Sequence, residues 1–120
     1  MATLKAHKIV EEGLTGSAVA CTSGGDEFTN SGIEFLKFRN TDADTYTVTI
    51  TAQTTNVRHQ NFGKLTKSNI TKTVAQNEIA YLGPFKQNAF NDSNNKVQIT
   101  YSGTGCCTNM TVEVLYLDQQ

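Results

Sequence analysis

Few side chains in this sequence stand at spacings that support chemistry. No Gly-x-Ser-x-Gly elbow, phosphate-cradling glycine loop or His-Glu-x-x-His helix occurs. Gly24-Gly25-Asp26 has no basic residue behind it and opens no helical pattern, so it is not a phosphate site. His7 and His59 stand apart from each other and from the cysteines, whereas a zinc site needs Cys or His pairs about two to four residues apart. Glu11, Glu12, Asp42, Asp44 and Asp92 fall in turn-like stretches or near the ends of segments and read as solvated. Residues 42–44 and 91–94 carry oxygens that suit calcium, but neither run continues with the glycine and terminal glutamate of a calcium loop. The segment Val57-Arg58-His59-Gln60-Asn61-Phe62-Gly63 joins a cation, an imidazole and an aromatic ring. It reads as an exposed loop over a buried Phe62, with a pH-sensitive contact surface as the alternative. No catalytic, cofactor-binding or metal-ligating residue is assigned, and no enzymatic activity is expected.

Cys21, Cys106 and Cys107 are an odd number, and two of them are adjacent. That pattern favours reduced structural thiols over a stapled secreted scaffold. A single bridge from Cys21 to Cys106 or Cys107 is the alternative. The first eight residues lack the apolar core of a signal peptide, and no window reaches the length of a membrane span, so synthesis in the cytosol is expected. Ten Lys and Arg against 11 Asp and Glu give a net charge of −1, which leaves no basic excess for nucleic acid. With 120 residues, the chain has room for one domain of ordinary size. Residues 1–22 are expected to form either a strand or a partly extended arm.

Positioning elements must be strands. Eighteen threonines, 11 asparagines and a single proline suit a pleated, turn-rich chain. In residues 45–51, Tyr46, Val48 and Ile50 alternate with threonines, the period of a half-buried strand. Residues 96–101 repeat this with Val97, Ile99 and Tyr101 inward. Residues 110–117 are apolar on both faces, Leu115 and Leu117 opposing Val112, Val114 and Tyr116. Residues 33–39 also carry apolar side chains on both faces, Ile33 and Phe35 against Leu36 and Phe38, and one of these pairs is expected to pack on a neighbouring subunit. Weaker strands are expected at 7–11, 55–59, 70–74 and 78–82. About eight short strands separated by Gly, Asn and Asp turns predict an all-β fold, an antiparallel β-sandwich or jelly roll. Gly83-Pro84 punctuates a strand end, after which Phe85 and Phe90 are expected to pin a crossover onto the core.

Two stretches carry a resemblance. Gly25-Asp26-Glu27-Phe28-Thr29-Asn30-Ser31-Gly32 leads into Ile33-Glu34-Phe35-Leu36-Lys37-Phe38 and the strand at Tyr46. Later come Leu82-Gly83-Pro84-Phe85, Phe90-Asn91-Asp92, Val97-Gln98-Ile99-Thr100-Tyr101 and Val112-Glu113-Val114-Leu115. Over 24–53 and 74–117 the order and spacing resemble small tailed-bacteriophage virion structural proteins, the capsid decoration or cement proteins. Two turns depart from the pattern. Ser93-Asn94-Asn95 stands where such proteins carry glycine, and Ala75-Gln76-Asn77 stands where Pro and Gly are expected. The resemblance implies a β domain made in the host cytoplasm and carried on the virion surface. Its implied partners are the major capsid protein and further copies of itself, commonly as a homotrimer, with no cofactor, nucleic acid or membrane. A receptor- or glycan-binding module on a tail or fibre is the alternative function.

Overall fold

The computed structural model describes residues 2–10, 13–14, 18–53, 56–59, 63–66, 68–103 and 109–117, with only the backbone path for 56–59 and 63–66. Twelve strands are present in this part of the chain: β1 (Ala2–Leu4), β2 (Ala6–Ile9), β3 (Val19–Ala20), β4 (Asp26–Thr29), β5 (Phe35–Asn40), β6 (Tyr46–Ile50), β7 (Asn56–His59), β8 (Gly63–Thr66), β9 (Ile70–Val74), β10 (Ile79–Leu82), β11 (Lys96–Ser102) and β12 (Met110–Leu117). One short helix, α1 (Gln87–Phe90), lies between β10 and β11.

Two sheets carry the fold. One runs β1-β4-β11-β6-β9, the other β10-β5-β12-β2, with β3 also on β12. Antiparallel pairs nest inside one another: β3 with β12, β4 with β11, β5 with β10, and β6 with β9. A long hairpin rolled up into two sheets gives this connectivity, which is that of a jelly roll. The hairpin of β7 and β8 is inserted between β6 and β9.

The all-β sandwich matches the sequence reading, and its pairing is richer than purely antiparallel. Strand β1 lies parallel to β4, and β2 lies parallel to β12. Residues 2–9 thus form two strands in different sheets, the chain passing from one sheet to the other at Lys5. Strands β1, β3, β4 and β8 were not expected. Strand β3 has only two residues, β1 and β8 have three and four of mixed polarity, and β4 carries the acidic pair Asp26 and Glu27, a weak β signal.

The core lies between the sheets. Phe28, Leu36, Phe38, Tyr46, Val48, Ile50, Val97, Ile99 and Met110 are fully buried there. Phe85 and Phe90 close one end with ring centroids 5.8 Å apart, and Phe28 stands 6.0 Å from Phe85. Their expected role, pinning the crossover to the core, matches this packing. Asn77 and Asn95 take the left-handed backbone (φ 64° and 63°) in the turns where glycine was missing from the pattern.

Candidate functional site

Strand β5 separates the two apolar faces that the sequence left undecided. Leu36, Phe38 and Asn40 are buried in the core, so Phe35, Lys37 and Arg39 face outward. Only Ile33 and Phe35 remain available to a neighbour. On β12, Met110, Val112 and Val114 fill the core, while Leu115 and Leu117 share the outer face with Glu113. On β10, Ile79 and Tyr81 point outward and Ala80 inward.

Register assembles these side chains into one surface. Tyr81 lies opposite Lys37, which lies opposite Glu113; Phe35 lies opposite Leu115, which lies opposite His7; Leu117 lies opposite Ile9. Exposures of 61% at Tyr81 and Leu117 and 49% at Ile79 are large for apolar side chains on a sheet. Ile33 and Leu14 add to the same side. The strip dips into two open depressions, one of about 260 Å³ around Phe35, Tyr81 and Leu115 and one of about 310 Å³ around Ile33, Pro84 and Leu117. Lys37 and Glu113 cross it at 3.9 Å, a long ion pair between half-buried side chains. An apolar strip interrupted by one compensated charge pair suits contact with another protein surface.

Of the carboxylates considered for chemistry, Asp92 and Asp42 are used by the fold, and Glu11 and Glu12 lie outside the described residues. Asp92 Oδ1 accepts N–H bonds from Asn94 (2.8 Å) and Lys96 (3.0 Å), and its Oδ2 accepts from the Gln98 amide (2.8 Å). Asp42 accepts from the Tyr46 hydroxyl, and its own N–H donates to Asn40 Oδ1 at 2.8 Å. His7 lies on β2 at the rim of the apolar strip, and His59 ends β7. Side chains of the 57–63 segment, and Cys106 and Cys107, lie outside the described residues. Cys21 is a buried free thiol, pushed up to about 12 by burial. Among the described residues no three His, Cys, Asp or Glu side chains gather as a metal site, and no helix is long and apolar enough to cross a membrane.

Asp26 is a polar residue to which the sequence analysis gave no structural role. It is fully buried and accepts from the Tyr101 hydroxyl (2.7 Å), the Thr22 N–H (3.1 Å) and the Ala2 N–H (3.3 Å). This carboxylate ties the first strand and the Cys21 loop to β11. Burial, and the negative charge close by, hold the Tyr101 phenol above its ordinary range.

Other hydrogen-bonded groups give the fold a pH dependence. Glu27 is held below its ordinary 4.5 by bonds from Gln98, Lys96 and Thr3. Asp42 is held below 3.8 chiefly by Tyr46, and Asp92 chiefly by the Lys96 and Asn94 N–H groups. Such carboxylates stabilise the fold fully above their unfolded values and lose that contribution as pH falls through the depressed folded ones. Tyr46 is raised to about 12 by its bond to Asp42 and then by burial, so its contribution is complete below 10 and is lost as pH rises towards 12. The thermal midpoint is expected to fall below pH 4.5 and again above pH 10, read by circular dichroism. Asp92→Asn should flatten the acid limb; an acid limb as steep as that of the parent would contradict the assignment.

No family model, curated protein or solved structure matches this chain.

Proposed function

We propose that this protein is a non-enzymatic virion structural subunit, a decoration protein that docks on the outer surface of an icosahedral phage head. The outward apolar strip of Ile33, Phe35, Tyr81 and Leu117 carries this reading, because exposed apolar side chains gathered on one sheet face suit contact with another protein surface. Jelly-roll connectivity, one that capsid and lectin domains use, is compatible with it, as is the resemblance read from the sequence. The partner is the major capsid protein in its assembled form. Binding only the assembled shell stabilises it by mass action, about 2.7 kcal/mol per site when free protein is a hundredfold above Kd.

Quantitative mass spectrometry of purified particles tests the proposal. Copies of the same order as the major shell protein are expected. Absence from particles overturns it, and a few copies per particle overturns it in favour of the tail or fibre module. Leu117→Glu should release the protein from particles without lowering its thermal midpoint, since Leu117 contributes little to the core.

A further inference from the structure

Every sandwich has edges, and an edge strand presents unpaired N–H and C=O groups to whatever meets it. Here the edges differ. Strand β9 carries Lys72 at its centre, β2 carries Lys8, and β1 is three residues long and followed by Lys5. Strand β10, Ile79-Ala80-Tyr81-Leu82, carries no charge and no proline. Among the described residues no strand pairs with its outer side.

Main-chain geometry decides what that side offers. The Asn40 N–H donates to the Glu78 carbonyl at 3.1 Å, and the ladder continues with Arg39 opposite Ile79 and Phe38 opposite Ala80. In an antiparallel ladder the residues that bond across alternate along the strand. Ala80 and Leu82 therefore direct their main-chain groups at β5. Ile79 and Tyr81 direct theirs at the open edge, and their side chains are 49% and 61% exposed.

We infer that β10 pairs antiparallel with β10 of a second copy of this chain across a two-fold axis. In the register that sets Ile79 opposite Tyr81 of the second copy, both outward N–H groups find the two outward carbonyls, and symmetry repeats the bonds. Ala80 then meets its own counterpart at the axis, and each Ile79 packs beside a tyrosine ring, a favourable cross-strand pair. Glu78 falls opposite Leu82 and Asn77 opposite Gly83, so the register opposes no like charges along the strand. The two strips around Phe35 and Tyr81 become one continuous apolar surface. This is a two-fold pair, in contrast to the threefold assembly that the resemblance implies. It stands on strand geometry and does not require the capsid reading.

Sedimentation of the purified full chain at high micromolar concentration tests the pairing, with amide exchange as a second readout. A mass twice the 13.1 kDa of the chain is expected, with the Ile79 and Tyr81 amides protected and that protection lost on dilution. Tyr81→Pro removes the outward N–H while sparing every bond to β5, a placement that edge strands tolerate. It should give a monomer with an unchanged far-UV spectrum. If Tyr81→Pro fails to fold, Ile79→Glu decides, because it sets a charge against the tyrosine ring and leaves the main chain intact. A monomeric or trimeric parent chain overturns the inference, as does a folded Ile79→Glu variant that remains dimeric. Particle binding is scored separately, so either reading can fail alone.

Discussion

Phe38→Ser is expected to destabilise the protein by about 4 kcal/mol, within the range for deleting a buried ring. Phe38 is fully buried on the inner face of β5, opposite Ala80 on one neighbour and Val112 on the other. Its ring stands edge-on to Tyr101 at 6.2 Å, so it spans the gap between the two sheets. Serine leaves a void of ring size and places a hydroxyl among apolar atoms, and rigid sheets collapse poorly into such a void. At about 4 °C per kcal/mol for a chain of this size, the melting midpoint should drop by about 15 °C. From the sequence, Leu36 and Phe38 were as eligible for a subunit contact as Ile33 and Phe35. The structure replaces a change of oligomeric mass with a loss of fold. A Phe38→Ser midpoint within about 3 °C of the parent would remove Phe38 from the core.

Asn40→Leu should cost about 3 kcal/mol although it replaces a polar side chain with an apolar one in the core. Asn40 is fully buried at the end of β5. Its amide donates to the carbonyls of Asp44 (2.8 Å) and Val74 (2.9 Å), and its Oδ1 accepts the Asp42 N–H (2.8 Å). One side chain thus ties the turn after β5 to the last residue of β9 in the opposite sheet. Leucine fills a similar volume but removes both donated bonds and the acceptor of the Asp42 N–H. The cost is that of three lost hydrogen bonds in a buried setting, not of a cavity. Thermal or urea unfolding measures it, and Asn40→Asp should recover less than half of the loss, because a carboxylate cannot donate to either carbonyl. A neutral or stabilising Asn40→Leu would show that those carbonyls find water instead.

Asn30 follows the same logic at the other end of the sandwich. Its amide donates to the Phe85 carbonyl (3.1 Å) and Asn91 Oδ1 (2.8 Å), and its Oδ1 accepts the Gly32 N–H (3.0 Å). In a sequence read alone, both asparagines look like turn residues, and both flank turns. Nothing local marks them as buried, because the carbonyls they satisfy come from chain up to 55 residues away.

Alternation is local, and so the strands were legible. Side chains two residues apart share a face whatever the fold, which placed Tyr46, Val48 and Ile50 together, and Val97 with Ile99. The turns were legible for a related reason, since asparagine tolerates the left-handed backbone that Asn77 and Asn95 adopt. An all-β sandwich and its main strands thus came from residue order alone.

Tertiary structure decided the rest. Which face of β5 and β12 lies inside depends on the sheet that covers it, and that sheet is assembled from distant chain. Strand partners are equally non-local: β3 meets β12 across most of the sequence, and the nested pairing that makes a jelly roll has no signature in any window. The parallel placement of β1 and β2 depends on where a free edge happens to lie. The apolar strip and the open edge of β10 emerge only at that level, because exposure is a property of the neighbours a side chain fails to acquire.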